Sequence, residues 1–342
     1  MVSKFVPPDA KSKQDGSRLG IVFNGSPLFT GGAGSGESEI RKWLIENDWL
    51  EAIIALPEQM FYNTGIGTYV WVVTNRKASE RKGKIQLVDG RERWQPMRRS
   101  LGDKRRMLGE DDIATIVREY GNFAETPTSK LFDNSDFGYH RVPIERPLRL
   151  VYTMNVERKS RFLDAVPGLL DDVQAIDREL GRTPRSDWSE FDGLLSALLK
   201  QRSSKWKKPE MKLFRDVFTD VEPEAKPVVR DERKASNDPD ARLWGWFPAP
   251  DKKREWQYEP NSQLRDAENV QLKEDVRDYY KREVLPHVLD SWMDREKMAS
   301  AYEINFNRHF YTYTPPRPLA EIDADLKQME EKIVRLLHEV TA

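Results

Sequence analysis

The chain has 342 residues, 38% hydrophobic and 33% charged, with 10 Trp and no Cys. That length suits two domains, the aromatic-rich balance excludes full disorder, and the missing Cys excludes disulfides and thiolate metal sites, with a cytoplasmic location expected. The net charge of −1 conceals a segregation: Arg76 to Arg106 holds 12 Lys or Arg against 4 Asp or Glu.

In chain order, Met1 to Gln14 lacks an apolar run and carries Pro7-Pro8, so it reads neither as a signal peptide nor as a membrane span. Arg18 to Phe23 is a short apolar strand. After a Gly-rich turn, Glu37 to Asn47 reads as a helix with Ile40, Trp43 and Leu44 on one face and Ser35 available as N-cap. Leu50 to Leu56, Thr68 to Thr74 and Ile85 to Val88 read as further strands. These strands are apolar at consecutive positions, as in a sheet covered on both faces. One clear helix among four strands is too little cover. We therefore expect the sheet to be completed by another polypeptide, or the chain to lack a first half. The basic stretch, with Trp94 between Arg93 and Arg98-Arg99, suits either a phosphate-lining surface or a solvated loop.

Ile113, Ile116, Val117 and Tyr120 mark a short helix, and Phe132 to Leu150 an extended stretch. The expected organisation is a partial α/β domain over 1–150, a helical region over 151–221, a polar loop insertion rich in Pro and aromatics over 222–271, and a helical assembly region over 272–342. Within the second region, Leu169, Val173, Ile176 and Leu180 end at Gly181, Asp187 and Glu190 are placed to cap the next helix, and Pro209 starts another. Leu272 to Leu285 reads as helix. Aromatics of the insertion, such as Trp244, Trp246 and Trp256, are expected to dock on a neighbour. In the terminal helix, 319–340, Leu319, Ile322, Leu326, Met329, Ile333, Leu336 and Val340 recur at spacings of three and four, the seam of a coiled coil or the buried stripe of a core helix.

Chemical motifs are scarce. Gly31-Gly32-Ala33-Gly34-Ser35-Gly36 lies between strand and helix but fits neither G-x-G-x-x-G nor G-x-x-x-x-G-K-[ST]. His140, His287, His309 and His338 share no ligand spacing, so no metal is expected and structural roles are favoured. No G-x-S-x-G elbow occurs.

Gly20-Ile21-Val22-Phe23-Asn24-Gly25-Ser26-Pro27-Leu28-Phe29, Glu39-Ile40-Arg41, Leu56-Pro57 and Met60-Phe61-Tyr62-Asn63-Thr64-Gly65-Ile66-Gly67 resemble the methylase subunit of type I restriction-modification systems, an N6-adenine DNA methyltransferase. The resemblance continues in Asp136-Phe137-Gly138-Tyr139, Glu145-Arg146-Pro147-Leu148-Arg149, Glu268-Asn269-Val270, Arg282-Glu283-Val284-Leu285-Pro286, Tyr302-Glu303-Ile304 and Pro315-Pro316-Arg317-Pro318-Leu319. It implies an α/β fold: the C-terminal portion of a Rossmann-like methyltransferase sheet, followed by a mainly helical domain with a coiled-coil-like last helix.

The family's Asp-Pro-x-x-Gly-x-Gly loop for S-adenosylmethionine and its Asn-Pro-Pro-Phe or Asn-Pro-Pro-Tyr motif do not occur. The resemblance therefore implies S-adenosylmethionine in the complete enzyme, but no cofactor and no catalytic motif on this chain, which alone is expected to be inactive. It places Phe61 where an aromatic residue stacks on the extruded adenine, with Asn63, Thr64 and Gly65 shaping the loop. Core packing is the other role open to Phe61. Arg91, Arg93, Arg98, Arg99, Lys104, Arg105 and Arg106 are the candidates for the DNA backbone. Implied partners are the specificity subunit, an N-terminal methylase half or full methylase subunit, double-stranded DNA and, further out, the restriction subunit. A non-catalytic remnant that binds DNA or the specificity subunit is the alternative, and an independent nucleotide-binding enzyme using Gly31 to Gly36 a weaker one.

Overall fold

The computed structural model describes residues 5, 8, 9, 14–313 and 315–341. Its N-terminal part is built on five strands: β1 (Arg18–Asn24), β2 (Leu50–Leu56), β3 (Thr68–Thr74), β4 (Lys84–Asp89) and β7 (Ser129–Asp133), in the order β1-β3-β2-β4-β7. β3 runs antiparallel to both β1 and β2, β2 and β4 are parallel, and β7 is antiparallel to β4. Between β4 and β7 come the hairpin strands β5 (Gln95–Leu101) and β6 (Lys104–Met107), then helix α2 (Glu110–Asn122).

The consecutive apolar residues of β2 serve two faces, because side chains alternate across a strand. Ile53, with Leu87 of β4, enters a core shared with helix α1 (Gly36–Glu46), whereas Ile54 and Val88 pack under Ile116 of α2. The cover expected to be short comes from a distant part of the chain. Tyr302, Ile304 and Phe306 return from near the C-terminus into the first of these cores. The face of α1 is also corrected: Ser38, Arg41, Leu44 and Ile45 are buried, while Ile40 and Trp43 are exposed. Arg41 can occupy the buried stripe because backbone carbonyls satisfy its guanidinium.

β8 (Gly138–Glu145) carries a second, antiparallel sheet with β14 (Asp266–Gln271), β15 (Trp292–Met293) and β16 (Ala299–Tyr302). Between β8 and β14, the short pair β9 (Leu150–Tyr152) and β10 (Thr219–Val221) brackets helices α3 (Val156–Ala165), α4 (Leu170–Glu179), α5 (Trp188–Gln201) and α6 (Lys208–Phe218). Their core is aromatic, with Tyr152 stacked on Phe191 at 3.7 Å between ring centroids. Gly181 has φ +76° after α4, and Asp187 caps α5 by accepting from the Glu190 N–H at 3.0 Å.

The span 222–271 is not a loop insertion. It folds as the three-stranded sheet β11 (Val229–Lys234), β13 (Arg254–Tyr258), β12 (Trp246–Pro248), and then supplies β14. Its aromatics pack within the chain, Phe247 against Tyr258 at 4.9 Å and Trp292 at 5.9 Å. Short strands with polar outer faces, separated by Pro, give too weak an alternation to be read as sheet. Nor is 272–285 one regular helix: α7 (Val276–Tyr279) passes into a π-helical turn over 280–284. Further on, 292–293 and 299–302 are strands on β8, and α8 (Phe306–Phe310) follows. The terminal helix α9 (Leu319–Thr341) leaves Leu319, Ile322, Leu326, Met329, Ile333 and Leu336 exposed; the side chain of Val340 lies outside the described residues. Packing of that stripe in this chain's own core is thereby excluded for those six residues.

Candidate nucleic-acid interface

The loop 57–67 joins β2 to β3 and is closed on itself. Gln59, at φ +60°, donates its N–H to Gly65 O at 3.2 Å, Phe61 and Thr64 form a bridge, and the Ile66 N–H reaches Thr64 Oγ1 at 3.3 Å. The hairpin β5–β6 is locked onto this loop through backbone groups, which frees its side chains. Arg105 and Arg106 N–H groups donate to Gln59 O at 3.0 and 3.2 Å, and the Asp103 N–H donates to Tyr62 O at 3.0 Å. Gly102 has φ +60°, and a Cβ there would lie 2.4 Å from Tyr62 O, so the turn of the hairpin requires glycine.

Phe61 is 38% exposed and so is not a core residue; Tyr62 and Ile66 beside it are more exposed still. Arg98, Arg99 and Arg105 are exposed, whereas Lys104 and Arg106 are half-buried, Arg106 lying 4.0 Å from the Trp94 ring centroid. Arg91 and Arg93 are different. Arg91 grips Asp89 through two bonds, 2.8 and 2.6 Å, and donates to Asn307 Oδ1 at 2.9 Å; the Asp89 bond raises its pKa. Arg93 stands 3.8 Å from Glu119. A guanidinium gripped by two short hydrogen bonds within the chain offers little to a phosphate, so Arg91 leaves the set of backbone candidates, whereas Arg93, exposed and without a side-chain hydrogen bond to Glu119, stays in it. The sequence does not single out Tyr62 and Ile66, nor the docking of hairpin on loop; Leu101-Gly102-Asp103 at the centre of the basic stretch is its turn signal.

A second exposed feature lies on the edge strand β1, next to β3. β1 pairs only with β3 among the described strands, yet Val22 on it is 49% exposed, with Phe23, Phe29, Ile40 and Trp43 also exposed nearby in sequence. An open edge bearing apolar side chains invites pairing with another strand. The Gly-rich turn behind it is no cradle for a cofactor. Thr30 O and Gly31 O accept from Arg41, and Gly31, at φ +89°, is packed so tightly that a Cβ would lie 2.2 Å from Ser35 Oγ. Ser35 itself caps α1, accepting from Ser38 N–H.

The histidines have no common site. His309 packs against Phe132 with ring centroids 4.4 Å apart and the rings tilted, burial and neighbouring cations lowering its pKa, while His140 Nδ1 meets Ser300 Oγ at 3.1 Å. Among the described residues no helix is long and apolar enough to cross a membrane.

The open five-stranded sheet, the closed aromatic loop and the basic hairpin all fall within a segment of known kind: residues 9–138 match the family model of N-6 DNA methylases. The relatives are narrower in class. The methylase subunit of the type I restriction enzyme MjaVII from Methanocaldococcus jannaschii is 38% identical over 110 residues, which cover 32% of this chain and 18% of that protein. The HindI methylase subunit of Haemophilus influenzae is 32% identical over 113 residues, 30% of this chain and 24% of the relative. This chain therefore resembles type I methylase subunits, while matching about a fifth of their length. Among solved structures, a type I methyltransferase subunit from Streptococcus thermophilus aligns with 35% of this chain and 24% of its own, at 21% identity and a TM-score of 0.30. A modification subunit from Vibrio vulnificus aligns with 40% and 26% respectively, at 18% identity and a TM-score of 0.32.

Proposed function

We propose that this chain contributes the later strands of a type I DNA methylase to an assembly that methylates adenine N6 using S-adenosylmethionine. The observation that supports this most directly is the open apolar edge at β1, the start of the segment matched by the methylase model. The missing strands, with the cofactor loop and the Asn-Pro-Pro-aromatic motif, would come from a methylase half or a full methylase subunit seated on that edge. The Gly-rich turn of this chain does not fit the cofactor, since its Thr30 and Gly31 carbonyls accept from Arg41 and Ser35 Oγ packs against Gly31.

In the assembled enzyme Phe61 would stack on the extruded adenine, held in place by the Asn63-Thr64-Gly65 turn, while Arg93, Arg98, Arg99, Lys104, Arg105 and Arg106 track the phosphates of double-stranded DNA. The seam of α9 would engage the specificity subunit, with the restriction subunit joining later. The domain division proposed is an α/β methylase part followed by a region devoted to assembly.

The test is reconstitution. The chain is mixed with a polypeptide bearing the cofactor loop and catalytic motif and with a specificity subunit, and methyl transfer to DNA is followed with labelled S-adenosylmethionine. Transfer is expected only with all parts present, and Val22→Lys on the open edge abolishes it. Saturable S-adenosylmethionine binding by the isolated chain, or full activity of Val22→Lys, would overturn the reading.

A further inference from the structure

The turn between α5 and α6 concentrates positive charge that the chain itself does not use. From Lys200 to Lys212 there are six Lys or Arg and one acid, Glu210. Arg202 is matched, its Nε lying 3.0 Å from Asp172 Oδ1. Lys200, Lys205, Lys207, Lys208 and Lys212 are all exposed and enter no ion pair among the described residues. Glu210 folds back to accept from the Lys207 N–H at 2.6 Å, and the exposed Asp164 of α3, Asp171 of α4 and Asp216 of α6 pair with none of the five.

The fold holds these lysines on a fixed turn. Trp206 turns inward: its indole N–H donates to Asp172 Oδ2 at 2.9 Å, and its ring stacks on that of Phe162 with centroids 5.7 Å apart. Ser204 Oγ donates to the same carboxylate at 2.7 Å, and the Ser204 N–H to Leu199 O at 2.9 Å. With Trp206 inward, its exposed neighbours Lys205 and Lys207 turn outward, because side chains alternate along extended backbone. Lys208 and Lys212 follow one helical turn apart on one face of α6.

The chemistry of the surface selects its partner. Ammonium groups act as point charges that meet phosphates singly. Lysine is depleted in protein interfaces, where aromatics and arginine are enriched, and this disfavours an acidic protein. A firm hold on a membrane takes an apolar side chain besides the charge, and a single strand takes an aromatic ring on which a base can stack. Between Lys200 and Lys212 the one aromatic residue is Trp206, and it faces inward. What remains is the phosphate backbone of a duplex. We propose that the α5–α6 turn is a second contact for double-stranded DNA, independent of its sequence, in the region otherwise devoted to assembly. It stands on the aromatic core of the helices, separate from the loop that carries the basic hairpin. That the duplex is DNA rests on the methylase reading; the preference for a duplex backbone does not.

The experiment is fluorescence anisotropy of the full chain with a labelled DNA duplex of arbitrary sequence. It uses neither S-adenosylmethionine nor a second subunit, so a failed reconstitution of methyl transfer leaves its result standing. Lys205→Ala, Lys207→Ala and Lys208→Ala in one chain should weaken binding and lower the slope of log affinity against log salt by about 2.7, at about 0.9 for each phosphate no longer neutralised. The three side chains are exposed, so the melting curve should not move, and arginine at the same three positions should keep the binding. The loss should be equal on duplexes of unrelated sequence and should add to that of Arg98→Ala with Arg99→Ala. The proposal is overturned by no saturable binding, by an unchanged salt slope in the alanine variant, by tighter binding of a single strand or an RNA duplex, or by a loss confined to phosphatidylserine vesicles.

Discussion

Arg41→Met is the most informative single change in the fold. The substitution keeps an apolar stem of similar length and removes the guanidinium, which is buried to 2% exposure. Four carbonyls lose their donor: Tyr302 O at 2.8 Å, Pro27 O at 3.0 Å, Thr30 O at 2.7 Å and Gly31 O at 3.4 Å. Burial lowers the pKa of Arg41, and Glu303 beside it partly offsets this. Each charged hydrogen bond contributes about 1.5–3 kcal/mol, but the three acceptors in the 27–31 turn are partly accessible and recover water. The Tyr302 carbonyl bond is buried and its acceptor does not. The expected loss is therefore about 3–5 kcal/mol, or a fall in Tm of roughly 10 °C. Urea and thermal unfolding followed by circular dichroism measure it. Amide exchange at Ile304, whose N–H donates to Leu28 O at 2.9 Å, should accelerate in parallel because Arg41 holds the same returning C-terminal segment. A loss below about 1 kcal/mol, within the ordinary range for a point substitution, would refute the claim that Arg41 joins the two parts.

Arg98→Ala with Arg99→Ala should weaken DNA binding by the assembled enzyme and lower the slope of log affinity against log salt by about 0.9 for each phosphate no longer neutralised, as measured by fluorescence anisotropy. Arg91→Ala should leave that slope unchanged, since its charge is already used on Asp89. Leu326→Asp, at a position 62% exposed, should leave the melting curve unaltered while abolishing co-purification with a specificity subunit; an intact complex would remove α9 from the interface. Asp177, bonded to Arg182 and then Lys159, is held well below the usual carboxylate range. Its contribution is full above the unfolded-state pKa of about 4 and shrinks as pH falls below it toward the lowered folded-state pKa, so urea midpoints of the protein and Asp177→Asn should differ at pH 7 and draw progressively closer below about pH 4.

The strands of the first sheet are legible because β2 is a short apolar run and β3 a β-branched and aromatic one, bounded by Pro57, Gly67 and Asn75. What covers them is not, because Ile304 and Phe306 stand more than 200 residues from β2 and no local period announces a neighbour at that distance. Helix α1 is evident in the sequence but its buried face is not, since hydrophobicity ranks Ile40 and Trp43 above Arg41 and cannot see the carbonyls that accept from the guanidinium. The sheet over 229–258 is hidden for a related reason: cross-strand pairs such as Phe247 with Trp256 carry its stability, and their register is not written in either segment alone. At the candidate interface the charge is legible residue by residue, but that the charge of Arg91 is already spent depends on its partner Asp89.

The seating of Ile304 and Phe306 under the first sheet also dictates an order of events during synthesis. The strands that emerge first from the ribosome cannot close their core until residues near the other terminus have followed, so a long interval passes with Leu44, Ile53 and Trp71 unburied on one face. Contacts of such sequence separation slow folding. During that interval the nascent chain exposes both an unpaired strand and an uncovered face, the surfaces on which a partially folded chain associates.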